Sequence, residues 1–450
     1  MSVQSLLKST LYLICLAVIG QVAVIGNTVS ADDPALTRPE MKKRIEALKS
    51  RTSRLPLPPP TEEDRASGKS LVNNGRLRSL YLPPSWTSFV ISGWGGNSAS
   101  RGSKGGAAST LNTLQAQPDY GFKTRIFWVV SRTNDCQYCL GHQELKLKRI
   151  GMTDDQVAAL DADWSQFDAA EQTALRAARR LTLRPDQFGA SEVTEILRHY
   201  SPKETRDILY TIARYNAVNR WTSATGIPQD LVFGGEEATS LDSPTSEKYS
   251  AVPSTVAPID IQTRAPWESR EELETRLTEA RSRISLVELP SVAQSQSVLS
   301  RETPGVVPPE WFRAMSDLPV ALDAWAQRQS MIREGKTPVT LRLLIAWVSA
   351  RENRAWYSAA HARARIRASG ADDKALDDFT RLQESVAPGW AAALRFAQKL
   401  TTNPQSITDS DITGLQQHFS DHEVAEIIQL TADSNAFDRF TESLKLTLEF

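Results

Sequence analysis

Residues Ser131 to Gln143 read SRTNDCQYCLGHQ, a stretch that holds Cys136, Cys139 and His142. The chain has three cysteines in all, and the third, Cys15, lies in an apolar N-terminal run. Asn134 is a good N-cap residue, so the spacing predicts a helix from there, with Cys136 at its second position and Cys136, Cys139 and His142 on one face. The first amides of a helix lack intrahelical partners and carry the positive end of its dipole, which favours a thiolate. A CxxC pair can also close a disulfide within one turn. These residue types at this spacing point to thiol redox chemistry.

Outward from this stretch the signals stay helical. Residues 124–130 and 136–149 read as two helices, and residues 168–183, 191–200 and 202–221 as three more. Upstream, residues 39–54 have helical spacing and end in LPLPPP, a polar stretch runs to Arg78, and residues 93–109 are a loop rich in Gly and Ser. No stretch alternates in the manner of a strand, so the expected fold class is all-α.

The chain also repeats itself. Setting each residue against the one 219 positions later aligns 126–220 with 345–439 without a gap, and 26 of the 95 positions are identical. Trp128 meets Trp347, Asn134 meets Asn353, Tyr138 meets Tyr357 and His142 meets His361. Cys136, however, meets Ala355 and Cys139 meets Ser358, so the second copy has no thiols. The expected organisation is two homologous helical domains, residues 32–232 and 267–450. Residues 233–266, rich in Glu, Ser, Thr and Pro, form the linker between them. The second copy then stands where a symmetric oligomer would have its second subunit.

Composition narrows the function. At 450 residues the chain is long enough for two or three domains of ~150 residues. Its 52 basic and 53 acidic residues nearly cancel, which speaks against a nucleic-acid surface and for a small-molecule or protein partner. Residues 1–31 read as a signal peptide, with Lys8, an apolar run from Leu11 to Ile25 and a Val29-Ser30-Ala31 cleavage site. The expectation is an exported protein, periplasmic or extracellular, free of the membrane once the leader is cut.

NDCQYCLGH, the amphipathic helix after it and YNAVNRW at Tyr215 together resemble the carboxymuconolactone decarboxylase family in its alkylhydroperoxidase D-like branch. The resemblance implies an all-helical fold, homo-oligomers, and a thiol peroxidase that needs no cofactor. Peroxide or a partner's disulfide would be the substrate and an external thiol the reductant. It implies Cys139 as the attacking thiol and Cys136 as its resolving partner. The family's relay histidine and glutamate fall here on Gln143 and Thr124, with His142 one place before the usual histidine.

Blander readings exist for each residue. The CxxC pair fits a static disulfide in an exported protein. Zinc on Cys136, Cys139 and His142 lacks a fourth ligand, so no metal is expected. His142 also fits a packing role, since His361 recurs where the cysteines do not. Beside the exported thiol oxidoreductase stand two alternatives, a non-redox enzyme of the wider family and a binding or scaffold protein that has lost catalysis.

Overall fold

Helices form in this chain where apolar spacing coincides with a capping residue. A computed structural model describes residues 37–63, 72–86, 120–230, 232–233, 236–237, 246, 248–249, 252–258, 264–300, 303–318, 321–370 and 373–450. The expected leader, the Gly/Ser loop and much of the expected linker lie outside these residues.

Helix α1 (Arg38–Ala47) starts at Thr37, which forms a capping box with Glu40. It stops well short of residue 54, because a 3-10 turn (Leu48–Ser50) leads into extended chain that docks elsewhere: Arg54 N–H donates to Thr225 O and its guanidinium to Ile407 O. Helix α2 (Asn73–Tyr81) falls in a stretch that reads as merely polar. Tertiary contact explains it, since Leu77 and the stem of Arg78 are buried in the core.

Five helices follow the second described gap in the first half: α3 (Tyr120–Thr133), α4 (Gln137–Arg149), α5 (Asp154–Ala162), α6 (Ala169–Leu183) and α7 (Ala190–Leu197). Asp168 caps α6, but no side chain caps α7, where Gly189 rather than a serine holds the cap position. The long α8 (Pro202–Thr225) opens with a Ser201–Glu204 capping box and ends at Gly226, whose φ of 60° is left-handed. The described strands are β1 (Val232–Phe233) and β2 (Glu236–Glu237), an antiparallel pair of two residues each. Among the described residues the fold is otherwise helical.

The second half contains α9 (Arg270–Arg281), α10 (Val292–Leu299), α11 (Glu310–Arg313), α12 (Ala321–Arg333), α13 (Val339–Asn353), α14 (Trp356–Ala368), α15 (Phe379–Glu384), α16 (Pro388–Thr402), α17 (Asp409–Gln416) and α18 (Asp421–Ser443). The bounds of α14, α16 and α17 are those of α4, α6 and α7 moved by 219. The succession breaks at α5, whose counterpart segment is not a matching helix.

Helices α8 and α18 pack on each other along the centre, and residues Pro34–Phe450 form one compact unit. Trp128, Trp221 and Trp347 are fully buried in a core that both halves share. The described part of residues 233–266 is not free of the first half. Val256 and Ala257 are buried, Tyr249 packs on Ala158 and Ala159, and Arg264 pairs with Asp186 at 2.8 Å.

Candidate functional site

The reversal between α3 and α4 fixes the cysteines. Asp135 adopts φ 50°, a left-handed conformation that costs a non-glycine residue about 1–2 kcal/mol. It turns the chain so that Cys136 N–H donates to Ser131 O at 2.8 Å. Cys136, and not Asn134, is therefore the N-cap of α4, which puts Cys139 third in the helix. Asn134 is diverted from capping into the core, where its amide donates to Asn216 Oδ1 at 3.1 Å and Asn219 Oδ1 at 3.0 Å. The same turn recurs at Arg354, φ 51°, before Ala355.

Both cysteines are free thiols, 2% and 3% exposed. Thr222 Oγ of α8 joins them, 3.1 Å from Cys136 Sγ and 3.3 Å from Cys139 Sγ. Burial works against the Cys136 thiolate, but hydrogen bonds from Cys139 and Thr222 outweigh it and hold its pKa below the usual thiol value. Burial pushes Cys139 well up, and the neighbouring Cys136 pushes it further. One thiol thus donates to the other, and Cys136 is the more acidic of the two. The dipole argument favoured that order, and it is the reverse of the roles that the family resemblance implies.

His142 takes a different direction. Its Nδ1 lies 3.0 Å from Tyr138 O, its Nε2 3.4 Å from Asp230 Oδ1, and its ring packs 4.5 Å from that of Tyr138. Tyr138 OH donates to the same Asp230 carboxylate at 2.8 Å. The second half repeats the arrangement, with Tyr357 OH 2.6 Å and His361 Nε2 3.2 Å from Glu449. A histidine that recurs with its carboxylate where the cysteines are missing ties the segment after the long helix, α8 or α18, to the helix that carries the histidine in both halves.

The two positions where the family has its relay are plain. Thr124 Oγ donates back to Tyr120 O at 2.8 Å, and Gln143 accepts from Lys146 Nζ at 3.4 Å. Lys146 is itself buried, which pulls its pKa well down, while the charge of Cys139 opposes that shift. Arg78 is also within electrostatic reach of Cys139.

In the second half Ser358 Oγ lies 3.1 Å from Thr441 Oγ, as Cys139 does from Thr222. Asp438 stands where the first half has Asn219, and accepts from Ser349 at 2.7 Å and Asn353 at 3.0 Å. Burial raises this carboxyl to about 6.

Sequence reading missed Thr222, Asp230, Lys146 and Arg78. Continuing the 219-residue register past residue 220 pairs Thr222 with Thr441 and Asp230 with Glu449, so both carried a signal. Lys146 pairs with Arg365 inside the aligned block, whereas Arg78 falls outside it and had none. Among the described residues no group of three or more His, Cys, Asp or Glu side chains could hold a metal ion, and no helix is long and apolar enough to cross a membrane. No protein-family model matches this chain, and no curated protein matches it either.

Proposed function

We propose that this is an exported thiol oxidoreductase that reduces peroxides or partner disulfides through Cys136 and Cys139. It would be a tandem duplicate of an alkylhydroperoxidase D-like unit in which only the first copy keeps chemistry. The observation that carries the reading is the Cys136–Thr222–Cys139 arrangement at the start of α4, where one thiol is made acidic by the other and by a shared hydroxyl.

The thiolate of Cys136 attacks the outer oxygen of a hydroperoxide, breaks the O–O bond and releases an alcohol once the leaving oxygen gains a proton. Sulfur is left as sulfenic acid. Cys139 then attacks that sulfur, expels water and closes the disulfide, and an external dithiol restores both thiols by exchange. The proton that Cys139 loses goes to the departing hydroxyl, which leaves as water, and Lys146, whose pKa burial lowers and which is within electrostatic reach of Cys139, would relay it. His142 is a positioning residue, acting through Tyr138 and Asp230 on the orientation of α4.

The test is peroxide consumption with dithiothreitol on the wild type, Cys136→Ser and Cys139→Ser proteins, with dimedone to trap sulfenic acid. Turnover should vanish in both variants, and dimedone should label Cys136 in the Cys139→Ser protein. Labelling confined to Cys139 in the Cys136→Ser protein would restore the family's order of attack. Unchanged turnover in either variant would remove the redox reading. A second reading, a binding or scaffold protein, is favoured by the burial of both thiols at 2% and 3% exposure. It predicts that no variant consumes peroxide, the wild type included.

A further inference from the structure

Between α8 and α18 the shared core is incomplete. A narrow cleft of about 70 Å3 lies there, room for several water-sized groups. Its walls include positions 219 apart on the two central helices, Ala217 with Ala436 and Arg214 with Asp433. The alanine is kept in both halves and leaves space, while the second pair differs in charge.

The cleft is apolar in body and cationic in its polar groups. Arg78, Arg214 and Arg328 line it against a single carboxylate, Asp433, among its described residues. Asp207 and Asp323 act on Tyr210 from nearby but do not line it. Arg328 lies with its guanidinium carbon 3.3 Å from the ring centre of Phe437 and 5.9 Å from that of Trp311, and reaches Asp433 at 3.6 Å. Arg78 is held by Gln429 and lies 4.3 Å over Trp221. Burial lowers Arg78 to about 9 and Arg328 to about 10, so both remain charged at neutral pH.

We infer that this cleft binds a small organic anion with a flat apolar body, of the class of aryl or alicyclic carboxylic acids. The carboxylate would meet the guanidiniums, which pair with it in a planar fork, and the ring would lie among Phe437, Trp311 and the two alanines. Guanidiniums already resting on aromatic faces have their orientation set before a ligand arrives, so less freedom is lost on binding. Nothing in this site needs the thiols, and it stands or falls apart from the proposed redox reaction.

The experiment is calorimetric titration of the full chain with benzoate and with its neutral isostere benzamide. It is repeated on the Cys136→Ser, Cys139→Ser double variant to keep thiol chemistry out of the result. Benzoate should bind one per chain in both proteins, and benzamide about 10- to 100-fold more weakly, the worth of a hydrogen-bonded charge. Arg214→Met should weaken benzoate similarly, and Ala436→Phe, which fills the space, should abolish its binding. Should those variants fail to fold, 4-azidobenzoate photolysed on the wild type decides, with labelled peptides expected to contain Met315 or Phe437. Equal affinity for benzoate and benzamide, no binding of benzoate, or labelling away from the cleft would overturn the inference.

Discussion

Arg220 and Arg439 reach past each other into opposite halves. Arg220 Nη2 donates to Thr401 O at 2.8 Å, and Arg439 Nη2 to Thr182 O at 3.3 Å, so donors and acceptors alike are 219 residues apart. The contact is reciprocal, each half supplying one guanidinium and one carbonyl acceptor. Each guanidinium also donates to the asparagine four residues before it, Asn216 or Asn435. Desolvation lowers the pKa of both, that of Arg439 to about 9, and the charge of Arg439 depresses Arg220 further.

Either Arg→Met replacement should destabilise by about 2–3 kcal/mol, the worth of hydrogen bonds made by a buried charge. The two charges repel, so each single variant gains back that repulsion and the double variant gains it back only once. Urea unfolding of all four proteins should therefore find the double variant less stable than the two single losses combined, by about 0.5–1 kcal/mol. A double variant at the plain sum would show that the repulsion is screened out.

Asp438 is a buried carboxyl where the first half has Asn219. Its pKa rises from 3.8 to about 6 in the fold, so the folded protein binds the extra proton. The destabilisation is absent below about pH 4, builds between pH 4 and 6 and is complete above. Two pKa units correspond to about 3 kcal/mol at most. Asp438→Asn, which keeps the acceptor for Ser349 and Asn353, should raise the melting temperature at pH 7.5 and leave it unchanged at pH 3.5. Equal effects at both pH values would mean that the carboxyl is not protonated in the fold.

Thr222 supplies the hydroxyl that both thiols share. Thr222→Val keeps the shape and removes that donor, so the Cys136 pKa should rise. The rate of methyl methanethiosulfonate labelling at pH 7 should then fall by about tenfold, the value of one pKa unit, and recover as the pH is raised. A rate that falls equally at every pH would indicate altered access instead.

Asp230 and Glu449 do equivalent work on the two tyrosine–histidine pairs. Asp230→Ala leaves Tyr138 OH without its acceptor and should cost about 1–3 kcal/mol in urea unfolding. His361 is held below its ordinary 6.5 by burial, with Glu449 opposing the shift. Because the unfolded chain takes up that proton first, stability falls as pH drops below 6.5. Glu449→Gln lowers the His361 pKa further, so the loss of melting temperature between pH 7.5 and pH 5 should be larger in that variant than in the wild type.

The helices were legible because their caps and apolar spacing are local. Ser201 with Glu204, and Asp168 before α6, mark starts that the structure uses. Asn134 misled because its amide is worth more in the buried ladder to Asn216 and Asn219 than at a helix end, a choice made by residues 82 and 85 positions away. The cysteine pair was visible as a spacing, while its acidity rests on Thr222, which only the packing of α8 on α4 brings near. Helix α2 was missed because burial of Leu77 and the Arg78 stem depends on the second half, whose Gln429 holds the guanidinium.

The crossed arginines bear on how the chain could be divided. A cut between Gly226 and Arg264 severs one covalent connection but leaves both guanidiniums with their acceptors on the opposite piece. Fragments 32–232 and 267–450, expressed separately, are thus natural partners for a split-protein assay, each unable to satisfy its own end of the contact. Their reassembly would depend on concentration, where folding of the joined chain does not.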